Sequence, residues 1–512
     1  MFQNYFSPFE VMASQINAMQ NLGISFTNYV NDFMTPTLVS ANYLSMVEQT
    51  RLSNSPSPDT FQNYTELSDF SLDLFNKVVI SNTKAIGDHC VQWSSEAFNA
   101  WFDTFFSDNG DKTINDFMED QAIAADLIAN VYPKAISDVE SEFGFHFERG
   151  ENIKVAETDR FTLYQVAPTD KKVKTLESGK PVIIIPPYVL GANILAFLPS
   201  ENRSYAHSFA NQGIPTYIRI LKDISTTPAV QTMTGDDDAS DTRIFCEKIV
   251  ARHGKPVTVN GYCQGGFTAV CNVLSGELDG LTDALITCVS PMDGTRSTGL
   301  TGFLKSLPQR FNDLDYGTKT LPNGNKVADG KLMSWVYKLR SIEFESPVVA
   351  FLRDLAMAKK AAQNGKKFSK SACAINYWLG YEKRDLPLGI TRISFDSFNI
   401  PVSQDGTLPI KLFGRSLNFK GIKEKNIKWL ICYGEKDDLV EKESALAPLD
   451  YTEAEVSAFP KGHVAIATSW SSPKSACALH TSFGDKNYRG PVRFQLDMDN
   501  SLAEVSGYGL SN

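Results

Sequence analysis

One cysteine in this chain stands where a nucleophile could work. Residues 257–267 read Val-Thr-Val-Asn-Gly-Tyr-Cys-Gln-Gly-Gly-Phe. Gly261, Cys263 and Gly265 thus form a G-x-C-x-G pattern between a β-branched apolar run and a helical one. A nucleophile on a sharp strand-to-helix turn needs strained backbone angles, and its neighbours must be small for strand and helix to close together. The helix that follows would aim its N-terminus at the thiol, where partial positive charge favours a thiolate and a developing oxyanion. In that geometry the backbone N–H of Gln264 is one oxyanion donor. Glycine is common, so the pattern draws its force from the strand–turn–helix context.

A thiol nucleophile needs a base, and the base needs an orienting acid. Asp437 and Asp438 lie just past the apolar run Trp429 to Tyr433, within Gly434-Glu-Lys-Asp437-Asp-Leu-Val440. Asp437 holds the G-x-x-D position and is preferred; without a partner, both would read as a solvated turn. Of six histidines only His463 and His480 follow it. His463 sits in Phe459-Pro-Lys-Gly-His463-Val-Ala, on a glycine-containing loop after a short strand, and is the preferred base. The order nucleophile, acid, base is then Cys263, Asp437, His463. Ile185-Pro-Pro-Tyr-Val-Leu190 follows an apolar strand, and its Val189 N–H is expected as the second oxyanion donor, against the plainer reading of a Pro-Pro turn. The other seven cysteines form no CxxC pair and read as buried structural thiols, so neither a zinc site nor a disulfide framework is expected. The run Asp236-Asp237-Asp238 reads as a charged helix start rather than a metal site.

These residues must be carried by elements. Strands are expected at 152–156, 161–166, 182–185, 215–221, 257–259, 285–289, 429–433 and 455–459. Helices fall between them at 204–212, 236–253 and 267–274. On 236–253, Ile244, Phe245, Ile249 and Val250 share one face. Alternation of this kind means a parallel sheet covered on both faces. Between Lys180 and Glu201 there is no charge, but Pro186-Pro187 and Gly191 interrupt the stretch, so a buried strand and turn is expected there rather than a membrane helix. Residues 1–150 read as a helical domain, with apolar faces through Phe9, Met12, Ile16, Met19, Leu22, Phe26, Val30 and Phe33 and again from Phe70 to Phe106, and with a loop at 51–60. They suit either packing on the rest or contact with a partner surface. The expected division is 1–150 helical, 151–295 sheet core, 296–400 an inserted lid or cap, 401–490 the rest of the core and 491–512 a tail.

The 512 residues are 42% hydrophobic and 21% charged, with a net charge of −10, which is the profile of a globular chain. An acidic chain without a basic run argues against nucleic-acid binding. Met1 to Glu10 lack Lys and Arg and hold no short apolar core, so no secretory signal is read there, and a soluble cytoplasmic protein is expected.

At this point the chain resembles the polyhydroxyalkanoate synthases, cysteine-nucleophile members of the α/β-hydrolase fold. The resemblance lies in Gly261-Tyr-Cys263-Gln-Gly-Gly266, Ile185-Pro-Pro-Tyr188, Gly434-Glu-Lys-Asp437-Asp-Leu-Val440 and Gly462-His463-Val-Ala465, with Asn399 to Gly414 running into Ile427-Lys428. It spans roughly 130–490. It implies an α/β-hydrolase core with an inserted lid, and Cys263 as the carrier of a thioester-bound chain. His463 would deprotonate Cys263, and Asp437 would orient His463 or help activate the incoming hydroxyl. The implied substrate is an (R)-3-hydroxyacyl-coenzyme A, and the products are a polyester and free coenzyme A, with no metal or redox cofactor. It leaves room for a homodimer and for a granule surface held through the N-terminal helices. Two other readings stand beside it. One is a cysteine-dependent acyl-thioester hydrolase or depolymerase of the same fold. The other is a non-catalytic granule-associated scaffold.

Overall fold

The computed structural model describes residues 8–54, 60–106, 112–150, 152–307 and 314–499. They belong to two compact units.

The first unit comprises Met1–Ser141, Leu307–Tyr316 and Lys331–Tyr381. Helices α1 (Pro8–Asn54) and α2 (Thr60–Phe106) each run 47 residues, and α3 spans Ile114–Asp126. Thr113 and Asp116 close a reciprocal capping box at the start of α3, satisfying backbone donors the helix cannot use internally. The buried side of α1 passes through Ala18, Leu22, Ser25, Phe26 and Tyr29. Ile16 and Met19, expected on the inner face, point outward, 50% and 72% exposed. The small side chains of Ala18 and Ser25 are what lie inside, and they leave room for a close neighbour. Leu22, Phe26 and Tyr29 pack on a cluster from α3 and the helix Pro347–Gln363, including Ala124, Ile128, Phe351 and Leu355. Tyr29 donates to the Asp354 carboxylate at 2.8 Å. On α2, Phe61, Phe75, Phe98 and Phe105 are exposed. Of the loop expected at 51–60, residues 51–54 still belong to α1 and Thr60 already begins α2, while 55–59, like the side chains of Phe9 and Met12, lie outside the described residues.

The second unit comprises Glu142–Ser306, Gly317–Gly330 and Glu382–Asn512. Its sheet has eight strands: β1 (Ile153–Glu157), β2 (Phe161–Gln165), β3 (Val182–Ile185), β4 (Thr216–Leu221), β5 (Val257–Tyr262), β6 (Thr282–Cys288), β7 (Lys428–Gly434) and β8 (Glu455–Phe459). Their spatial order is β1-β2-β4-β3-β5-β6-β7-β8. β2 is antiparallel to both of its neighbours, and the remaining pairs are parallel. This order and this single reversal make it an α/β-hydrolase fold. All four residues of β3 are buried, as a strand covered on both faces requires. The uncharged stretch between Lys180 and Glu201 therefore opens with β3 and the turn after it. Among the described residues no helix is long and apolar enough to cross a membrane.

Helix α4 (Gly235–His253) ends at Gly254 in the left-handed conformation, and α5 (Gln264–Leu274) follows β5 directly. Two expectations change here. Helix α5 begins at Gln264 rather than Phe267, because the turn into it is a single residue. The inner face of α4 keeps Phe245 and Ile249, but Ile244 is exposed. Asp238, Asp241 and Thr242 are buried instead, and ionic and hydrogen-bonded partners hold them there. Helix α6 spans Leu388–Asn399. The tail expected over 491–512 opens with the helix Pro491–Asp497; its residues 500–512 lie outside the described residues.

Candidate active site

Cys263 is the one residue between β5 and α5, and its backbone sits at φ 53°, ψ −127°. A non-glycine residue there carries strain on the order of 1–3 kcal/mol. Its neighbours hold it. The Cys263 N–H donates to the Cys288 carbonyl at 2.8 Å, and the Gly266 N–H donates to the Cys263 carbonyl at 2.9 Å. The glycines are a matter of clearance. A Cβ on Gly261 would lie 2.3 Å from Gly266 Cα, one on Gly265 would lie 2.3 Å from the Ile185 carbonyl oxygen, and one on Gly266 would lie 1.9 Å from Ser290 Oγ. No real Cβ tolerates such distances, so β3, β5 and α5 meet here only because these positions are glycine.

Asp437 and His463 come from the loops after β7 and β8. The Asp437 side chain is fully buried, and its Oδ2 is 2.8 Å from His463 Nδ1. Its Oδ1 accepts the backbone N–H groups of Leu439 at 3.0 Å and Val440 at 2.9 Å. These bonds fix the carboxylate and so fix the ring it faces. His463 Nε2 is buried with no nitrogen or oxygen partner among the described residues, and Cys263 is beside the ring. Burial opposes charging this ring, but the Asp437 carboxylate and the adjacent Cys263 outweigh it, and the His463 pKa lies well above that of a free imidazole. Asp438 is exposed. His480 lies elsewhere, on a polar cleft with Glu455, Arg489 and Arg493, and burial lowers its pKa.

The structure thus brings Cys263, Asp437 and His463 together. Val189 and Gln264 also meet, though through a side chain. The Val189 N–H donates to Gln264 Oε1 at 3.4 Å, and Gln264 Nε2 donates to Ser394 Oγ on α6.

Several residues that shape the site were not assigned a role from the sequence. Tyr262 is buried, and its hydroxyl donates to the His463 carbonyl at 2.8 Å, tying the His463 loop to the elbow. Tyr188 donates to the Asp238 carboxylate. Arg219 on β4 donates to Asp238 Oδ2 at 2.7 Å, and Asn272 Nδ2 donates to Oδ1 at 2.7 Å. All four are buried, so an ionic network underlies the Pro186-Pro187-Tyr188 loop and anchors the backbone that carries Val189. Burial opposes the Arg219 charge, but Asp238 beside it raises the pKa overall. The acidic run therefore splits three ways. The Phe413 N–H donates to Asp236 at 2.8 Å, Asp237 caps the helix and pairs with Arg160, and Asp238 enters the core. Only the large aromatic residues at positions 188 and 262, each next to a motif glycine or proline, could have marked the scaffold in advance.

No family model matches the chain, and no curated protein matches it. Solved structures do overlap it. An esterase from Rhodococcus sp. is 10% identical, with 70% of this chain and 100% of that one covered at a TM-score of 0.33. A thermophilic esterase from Thermogutta terrifontis is 12% identical, covering 69% and 99% at 0.31. The thioesterase domain from the curacin biosynthetic pathway is 12% identical, covering 63% and 96% at 0.33. The fold assignment rests on strand order and direction rather than on these overlaps.

Proposed function

We propose that the chain is an acyl-transfer enzyme working through a thioester on Cys263. The observation that carries this reading is the strained Cys263 elbow facing a histidine already bonded to a buried aspartate. His463 Nε2 takes the thiol proton, and Cys263 Sγ attacks the acyl carbonyl. The backbone N–H of Gln264 and that of Val189 receive the oxyanion. Collapse expels the leaving thiolate, which takes the proton from the His463 imidazolium. A second acceptor then approaches. His463 removes its proton, and its oxygen takes the acyl group from sulfur.

The specific fate we propose is polymerisation. The acyl donor is a 3-hydroxyacyl-coenzyme A, and the acceptor is the hydroxyl of another hydroxyacyl group. Sulfur supports this choice, because transfer from one thioester to another keeps the acyl group activated for attack by a hydroxyl. The resemblance of the four motifs to the polyhydroxyalkanoate synthases supports the substrate class. Phe61, Phe75 and Phe98, exposed on α2, support contact with an apolar polyester surface. The same residues would also hand the acyl group to water, so a thioesterase or depolymerase is the second reading, favoured by a triad that holds its general base for either acceptor.

The test incubates purified protein with 3-hydroxybutyryl-coenzyme A, follows coenzyme A release and weighs the acyl product. Polyester formation lost in Cys263→Ala, and reduced roughly 10²- to 10⁴-fold in His463→Ala, is expected. Release of hydroxy acid alone would make the enzyme a hydrolase. Turnover retained by Cys263→Ala would end the acyl-enzyme reading.

A further inference from the structure

The acceptor side of the candidate site already holds an oxygen. Gln264 Oε1 accepts the Val189 N–H at 3.4 Å, while Gln264 Nε2 donates to Ser394 Oγ. The Val189 N–H can only donate, so the end of the amide that meets it is the oxygen, and the Ser394 hydroxyl can accept from the other end. The side chain is buried, with Gln264 only 6% exposed. Its carboxamide oxygen therefore lies on the donor to which a substrate carbonyl oxygen would bind.

The surrounding backbone has no freedom to withdraw. At Gly265 the α5 backbone packs against the Ile185 and Pro186 carbonyls without room for a Cβ. Tyr188, next to Val189, is tied to Asp238 and Arg219 in the buried network. The Gln264 side chain, by contrast, has three rotatable bonds, and its link to Val189 is at the long end of hydrogen-bond distances. Of the two partners in that link, the side chain is the one able to leave.

We propose that the Gln264 carboxamide is an internal stand-in for the substrate carbonyl, latched by Ser394, and that Cys263 is acylated only when it releases Val189. The inference rests on the acyl-enzyme reading above. It makes the Gln264 side chain and Ser394 positioning groups, distinct from the Gln264 backbone donor. Substrate affinity is then reduced by the fraction of molecules in which the latch is open, so opening it lowers the half-saturating concentration without new contacts to substrate. It also connects α6 to the reacting centre through one hydroxyl.

The experiment measures the pre-steady-state burst of p-nitrophenol from p-nitrophenyl butyrate, which requires no coenzyme A contacts. Wild type, Cys263→Ala, Ser394→Ala, Gln264→Ala and Gln264→Glu are compared, with thermal unfolding of each. Gln264→Ala and Ser394→Ala should lower the half-saturating concentration of the burst by roughly 3- to 10-fold. Gln264→Glu should slow the burst, because a carboxylate beside the developing oxyanion opposes its charge. Ser394→Ala leaves the elbow intact and decides the matter should Gln264→Ala fail to fold. A wild-type burst that depends on Cys263 but is unchanged or weakened in folded Gln264→Ala and Ser394→Ala would overturn the stand-in and leave the acyl-enzyme reading untouched. No Cys263-dependent burst in wild type would overturn both.

Discussion

At the scale of single residues, the candidate site holds one imidazole whose two nitrogens have different surroundings. Nδ1 faces Asp437, and Nε2 is buried with no nitrogen or oxygen partner among the described residues. Burial alone would push the His463 pKa down, and the Asp437 carboxylate, with Cys263 beside the ring, reverses that. Asp437→Asn should therefore bring the His463 pKa down to or below the ordinary imidazole value, as read from the pH titration of its ring proton resonance. An unchanged titration would mean that the carboxylate does not control the ring. The sign carries over to stability. The folded pKa lies above the unfolded value of about 6.5, so protonated His463 contributes stability below that pH, and the contribution fades as pH rises through the raised folded pKa. Asp437 over Asp438 and His463 over His480 were legible because loop position and chain order select them. The Gln264–Val189–Ser394 contact was not legible, because 130 residues separate Gln264 from Ser394 and no local pattern marks that serine.

At the scale of elements, α4 shows how a charge pattern can be misplaced. Three aspartates at a helix start suit the helix dipole, and Asp236 and Asp237 do stay near the surface. Asp238 enters the core because β4 presents Arg219 there, a pairing between a strand and a helix that sequence spacing does not encode. A buried pair is costly to break from one side. Asp238→Asn should leave Arg219 charged and without its counterion, with a loss of about 3–5 kcal/mol in equilibrium urea unfolding. A loss below about 1 kcal/mol would show that Arg219 finds other partners. The elbow was the opposite case. Its glycines are demanded by contacts within a few residues and with the ends of β3 and β6, so spacing read in its strand–turn–helix context exposed them. On α1 the apolar periodicity was real, but it did not say which stripe faces inward. Ala18 and Ser25, unremarkable as hydrophobes, settle that by letting a neighbouring helix approach.

At the scale of the whole molecule, the strand sequence of the second unit was readable because alternating β-runs and helices admit few sheets. What escaped was the joining of 331–381 with the N-terminal helices into one compact unit, since nothing local ties segments two hundred residues apart. The second unit also holds an acid-sensitive histidine. His207 is buried beside Ser204, 2.7 Å from its hydroxyl, and burial pushes its pKa down to about 4. The unfolded chain takes this proton below about pH 6.5 and the folded one resists, so stability should fall by roughly 3 kcal/mol between pH 6.5 and 4 and then level off. Urea midpoints across that range should be flatter in His207→Gln; equal slopes would remove His207 as the cause. The elbow has a further consequence, for descent with modification. Its turn angles, its three glycine clearances and the carbonyl that holds the Cys263 N–H are all properties of main chain or of neighbouring side chains, and none involves the sulfur. Exchanging that atom for oxygen, a single codon change, leaves every one of these presenting contacts in place.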